Sequence, residues 1–209
     1  MPDTPEALRK RGSRAALALL ASFLLTSGDD RTTQLEKVLQ RGSLVMLTRN
    51  GASTYYIGPE GPTGPEVELV RRFAEFLDVG LEIEAADAFN QLSGLLLAGH
   101  GDLIAANLTR TPDRERQFNF GPDYLETGTV VVYRRGQERP RSLEDLAGKR
   151  IMVIAGSSYE ETLQAARQDV PGIEWEPRSD VGMESLLLAV ADGAVDVTLV
   201  DSNIFGLNR

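Results

Sequence analysis

The residue types best suited to chemistry are concentrated in NLTRTPDRERQFNF, from Asn107 to Phe120, where two hydroxyls and a guanidinium fall at Thr109, Thr111 and Arg114. A guanidinium is a planar fork of donors that pairs with a carboxylate through two parallel hydrogen bonds, and it stays charged at every pH a protein meets. A threonine hydroxyl five residues away adds a donor, so the stretch reads as an anion clamp. The bland alternative makes Arg114 part of a solvated charge cluster with Asp113, Glu115 and Arg116, because charge runs mostly face water. Other chemistries have little to draw on. The chain has no cysteine and a single histidine, His100, which removes thiol catalysis, thiolate metal sites and disulfides and starves any Ser-His or multi-histidine centre. Neither a metal nor a cofactor is expected. His100 sits in a Gly-His-Gly turn and is expected to face solvent.

The clamp needs a scaffold, and the residues before it supply one. GDLIAA, residues 101–106, reads as a buried strand opened by a Gly-Asp turn, and ligands in open α/β sheets are met just beyond such strand ends. Pro112 stops the strand from continuing. Upstream, residues 31–42 form an amphipathic helix; LVMLT at 44–48 is apolar on both faces, as in a buried parallel strand. The Gly-Pro-rich stretch 49–66 is a loop or tight hairpin. A helix over 65–78, a strand over 81–84, a helix over 89–98 and the 101–106 strand complete a strand-helix alternation that implies a parallel, doubly wound sheet. After the clamp, TGTVVVY at 127–133 is strongly β and closes a first lobe spanning 29–133. The polar run RRGQERPRS then crosses to a second lobe, 134–209, with strands at 150–155, 173–176 and 196–200 and helices at 158–168 and 183–191. Trp175, in the alternating IEWE, belongs to core or sheet edge. The phrases LLLAGHGDLIAAN (95–107) and LLAVADGAVDVTLVDSN (187–203) run through the same order of helix, Gly turn, Asp and apolar strand. Asp201 therefore occupies in the second lobe the strand-end place of Asn107 or Thr109 in the first.

With 209 residues, 42% hydrophobic and 25% charged, the chain can bury one large or two small cores. A net charge of -9 argues against a nucleic-acid surface, which needs clustered Lys and Arg. Arg9, Lys10, Arg11 and Arg14 precede an apolar run from Ala15 to Leu25 that ends in Thr26, Ser27 and Gly28. Residues 1–28 thus have the shape of a secretory signal peptide or, in the other reading, an N-terminal membrane anchor. Either sends the rest of the chain to an exported compartment.

Four phrases carry a resemblance: PTGPEVELVRRFAEFLDV, LLAGHGDLIAANLTRTPDRERQFNFGPDY, RSLEDLAGKRIMVIAGSS and VADGAVDVTLVDSN. In that order they resemble the family 3 extracellular solute-binding domain, a two-lobed α/β clamshell of the periplasmic-binding-protein type II class that binds amino acids. TRNGASTYYIGPEGPTG and VVYRRGQERPRSLEDLAG look most like the N-terminal sensing module of membrane-bound lytic murein transglycosylases of the F type. The resemblance places the family's TxTxxR motif on Thr109, Thr111 and Arg114, which hold a ligand's α-carboxylate. Gly156, Ser157 and Ser158 fall on the turn that closes over it, and Asp201 on the acidic residue that pairs an α-ammonium. Arg49 and Tyr55 fall on the loop lining the side-chain pocket, and Asn107 replaces the usual Gly. The family continues past the point reached at Arg209, so the second lobe is expected to be incomplete. Glu184-Ser185 matches the wall-cleaving enzymes in two letters only, on a helix that reads as packing.

The implied function is a non-catalytic, periplasmic, monomeric module that binds a small zwitterion, an amino acid or a wall-derived peptide, in service of murein turnover. The alternatives are a fragment of a lytic transglycosylase and the binding protein of an amino-acid transporter. For Ser157, Ser158 and Asp201 a plain helix-capping role competes with ligand contact.

Overall fold

A parallel strand covered on both faces is apolar on both, and the LVML at the centre of SLVMLT meets that demand: β1 (Ser43–Thr48) is buried at all positions except Val45, with the polar Ser43 and Thr48 at its ends. The computed structural model describes residues 32–207. Among the described residues, those from Val38 onward form one compact unit, and it holds the sheets of both lobes. The segment 1–28 expected to direct export lies outside the described residues. Thr33 and Glu36 cap α1 (Gln34–Arg41) reciprocally, Glu36 N donating to Thr33 Oγ1 at 3.2 Å and Thr33 N to the Glu36 carboxylate at 2.7 Å.

In the first lobe β1 is the centre of a three-stranded parallel sheet, between β4 (Gly80–Ala85) and β5 (Leu103–Ile104). The hairpin of β2 (Tyr56–Gly58) and β3 (Gly61–Thr63) precedes α2 (Pro65–Phe76). Successive strand side chains point to opposite faces. Met46 accordingly packs with Val67, Val70 and Ala74 of α2, while Leu47 packs on the other face with Leu92 and Ala106. Leu92 opens α3 (Leu92–Leu97), and a 3-10 turn over Phe89–Gln91 occupies the first part of the helix expected at 89–98.

In the second lobe β7 (Ile151–Ile154) lies between the parallel strands β8 (Trp175–Arg178) and β9 (Val197–Asp201). Leu163 of α5 (Ser158–Asp169) covers Ile151, Val153 and Leu199, with Ile173 and Leu146 filling the rest of that core. Trp175 packs against the same core from an edge strand. Pro177 is accommodated there because an edge strand has one side free of ladder bonds. The strand expected at 173–176 runs two residues later.

One assignment changes lobes. β6 (Thr129–Tyr133), read in the sequence as the last element of the first lobe, pairs antiparallel with β9, Thr129 opposite Asp201 and Tyr133 opposite Val197. By sheet membership the boundary placed at residue 133 moves to the N-terminal side of Thr129. Among the described residues no helix is long and apolar enough to cross a membrane.

Candidate functional site: a cleft closed between two lobes

On the first-lobe side the cleft is built from the ends of β1 and β5. Asn107 follows β5 with φ +52°, a left-handed conformation that Asn tolerates better than most residues. Its amide N–H is received by both carboxylate oxygens of Glu66, at 2.9 and 3.0 Å, and its Nδ2 donates to Ser53 Oγ at 2.6 Å. Glu66, in the first turn of α2, is 2% exposed and also accepts from the Tyr124 hydroxyl. Burial pushes its carboxyl above the usual range, opposed by the bonds from Tyr124 and Asn107. A carboxyl whose folded pKa is raised favours the folded state most at low pH and loses that contribution as pH climbs through the folded value. Glu66→Gln should therefore flatten the fall in stability above about pH 4.3, measured by urea denaturation from pH 4 to 8.

Thr111 caps the short helix α4 (Pro112–Glu115), its Oγ1 accepting from Arg114 N at 3.4 Å, with Pro112 at a position that needs no donor. This turn aims Arg114 inward. The side chain is 6% exposed; Nη1 donates to Thr109 O at 2.7 Å, Nη2 donates to Gly156 O at 2.9 Å and lies 3.2 Å from a Glu161 carboxylate oxygen. The Phe89 ring centroid is 5.8 Å from the guanidinium carbon. Burial lowers the Arg114 pKa and Glu161 opposes the shift. The neighbouring cations stay at the surface: Arg110 pairs with Asp123 and Glu115, and Arg116 with Asp113.

On the second-lobe side Ser157 caps α5, accepting from Glu160 N at 3.4 Å while its hydroxyl donates to Ile154 O at 2.6 Å. The Gly156 N–H donates to Glu160 Oε2 at 2.7 Å. Ser158 Oγ donates to Thr109 Oγ1 at 3.2 Å, so the two hydroxyls expected to face a ligand face each other. Asp201 is buried; its N–H donates to the Tyr159 hydroxyl at 3.1 Å, and burial raises its carboxyl pKa against a hydrogen bond from Tyr159.

Between these surfaces lies a cavity of about 90 Å³, lined among others by Arg49, Asn107, Thr109, Ser157, Ser158 and Glu184. A second cavity, of about 380 Å³, shares Arg49, Asn50, Gly182 and Glu184 with it and adds Tyr55 and Asp87. Of the eight residues singled out in the sequence, Arg49, Asn107, Thr109, Ser157 and Ser158 line the first cavity and Tyr55 the second. Arg114 and Asp201 line neither. Arg114 lies behind Thr109, turned toward the second lobe, and Asp201 lies behind Tyr159. Arg49 Nη2 donates to Val181 O across the cleft. Sequence reading missed Glu184, in the first turn of α6 (Met183–Ala191), because that helix reads as packing; it faces both cavities and its charge acts on Arg49. Phe89 and Glu66 were also missed, and neither carries a spacing signal.

The profile of "Bacterial extracellular solute-binding proteins, family 3" matches residues 44–169. Among curated relatives, "Membrane-bound lytic murein transglycosylase F" of Pseudomonas fluorescens is 39% identical over 207 residues, covering 99% of this chain and 43% of the relative. Its namesake in Ectopseudomonas mendocina is 41% identical over 209 residues, covering 97% of this chain and 42% of its own. The chain thus spans less than half the length of these relatives. Among solved structures, an ancestral arginine-binding protein bound to arginine aligns with TM-score 0.71 and 27% identity, over 80% of this chain and 73% of its own. A mutant of ArgBP from T. maritima aligns with TM-score 0.72 and 24% identity, over 84% and 75%, which speaks to the fold. The architecture is that of type II periplasmic binding proteins, and the matched region is a binding domain, not a catalytic one. The chain belongs to the bacterial extracellular solute-binding proteins, family 3.

Proposed function

We propose that this chain is a periplasmic sensing module that closes on a small zwitterionic ligand, an amino acid or a short wall-derived peptide. The observation that carries the reading is convergence. Hydroxyls and opposite charges from both lobes, Thr109 and Arg49 on one side and Ser158 and Glu184 on the other, meet in one cleft beside a buried guanidinium. Such an arrangement suits a ligand that bears a carboxylate and an ammonium, and hinge closure is the ordinary way for two lobes to enclose one. In the proposed bound form Arg114 and Thr109 hold the carboxylate, with Ser157 and Ser158 closing over it. Asp201 and Glu184 are the two carboxylates available to the ammonium. The name shared by the curated relatives supports a role in murein turnover, with this module reporting ligand to a wall-cleaving domain. The solved amino-acid-binding structures equally support a transporter's binding protein.

A thermal-shift screen of the twenty amino acids and of purified muropeptides tests the reading, because a ligand at 100 times its Kd adds about 2.7 kcal/mol to stability. A clear rise in melting temperature with at least one of them is expected. No rise with any at millimolar concentration counts against the proposal.

A further inference from the structure

Arg114, Ser157 and Ser158, assigned to a ligand carboxylate, all donate within the chain, and Thr109 accepts from Ser158; most of the partners come from the opposite lobe. Arg114 spans the cleft to Gly156 O and Glu161, and Ser158 bonds Thr109. Asn90 Nδ2 donates to Ser179 Oγ at 3.3 Å, and Arg49 reaches Val181 O. Among the described residues no buried side-chain polar atom lacks a partner. Gly156 itself can lie this close to the first lobe only because it has no side chain: a Cβ there would stand 2.8 Å from Asn90 Cβ, and its φ of +72° already favours glycine.

We propose that Glu161 is an internal surrogate for the ligand carboxylate, pairing with Arg114 across the cleft so that the lobes close without ligand and a ligand must displace it. The chemistry of the two anions is the same. A side-chain carboxylate on the first turn of α5 presents to the guanidinium the group that a ligand would present. The helix N-terminus further favours an anion at that place. Arg114 is nearly dry and Glu161 about one third exposed, so the pair is partly protected from screening yet reachable by a competitor. Closure without ligand has a consequence for affinity: if only the open fraction admits ligand, the apparent Kd rises in inverse proportion to that fraction. Displacement by a ligand rests on the carboxylate role proposed for Arg114. Closure in its absence does not.

Because the chain has no cysteine, spin labels can be placed at Glu75→Cys and Gln168→Cys, exposed positions on α2 and α5, without background. Double electron-electron resonance on the ligand-free full chain should show a dominant short interlobe distance. Glu161→Gln should raise the ratio of long to short distances by up to about fivefold, the upper end for a partly exposed ion pair. Gly156→Ala, which wedges the lobes against Asn90, supplies the open reference in the same folded chain. A wild-type distribution matching Gly156→Ala, or a Glu161→Gln distribution matching wild type, overturns the surrogate. Either result leaves the zwitterion reading standing, and an unresponsive thermal-shift screen leaves this one standing.

Discussion

Arg114→Ala should sharply weaken ligand binding and weaken the fold at once. In binding, truncating one partner of a buried, hydrogen-bonded charge pair costs about 2 to 5 kcal/mol, which is roughly 30-fold to several-thousand-fold in affinity. The fold effect has a separate origin. The guanidinium satisfies Thr109 O and Gly156 O and pairs with Glu161 from a position 5% exposed, so its removal strands two carbonyls and unpairs a carboxylate. Since Glu161 can still turn to water, the expected loss of stability is near the lower end of the figure for buried pairs, about 3 kcal/mol. Arg114→Lys discriminates the two effects. An ammonium keeps the charge but cannot form the two-pronged contact, so stability should recover more than affinity. Equal affinity of wild type and Arg114→Ala by calorimetry would remove Arg114 from the site.

Gly64→Ala is expected to be the most damaging single substitution to the fold. Gly64 precedes α2 with φ 137° and ψ 159°, a region open essentially to glycine alone. An added Cβ would stand 2.2 Å from Thr54 O and 2.8 Å from Thr54 C, backbone atoms that cannot swing aside. Strain of about 1 to 3 kcal/mol plus the displaced backbone gives a total of about 4 kcal/mol or more, in the range of the rare severe substitutions. The damage reaches the cleft by a short route. Thr54 lines the first cavity and bonds Arg49 O at 2.7 Å, and Glu66, two residues beyond Gly64, holds Asn107. Urea unfolding measures the loss. A change under 1 kcal/mol would mean that the turn has another conformation.

The parts of the fold legible in the sequence are those with a local cause. LVML is apolar on both faces because α2 packs on one face of β1 and α3 on the other, and the Thr-Pro step at 111–112 fixes the turn that aims Arg114. The Gly-Ser-Ser turn and the cap at Ser157 follow from residue type alone. What was not legible depends on partners distant in sequence. TGTVVVY would look the same in either sheet, and only its pairing with β9 decides that it belongs to the second lobe. Glu66 reads as one more acidic residue in a helix's first turn, yet it is buried under Tyr124 and Asn107. Whether Arg114 faces the cavity or spans it is set by Gly156 and Glu161, 42 and 47 positions away in the chain, and no spacing rule encodes that. Glu184 was passed over for the same reason: its helix packs on one face, and the charged first turn meets the cleft only once both lobes are assembled.

In the proposed function the cleft recognises a free carboxylate in a small zwitterion. The most direct measurement is calorimetric titration of the full chain with whichever ligand the thermal-shift screen selects, beside its methyl ester and its decarboxylated amine. Binding by the free acid alone, with the ester and the amine each weaker by about 2 kcal/mol or more, is the predicted result. Ester or amine binding as tightly as the acid would contradict the claim.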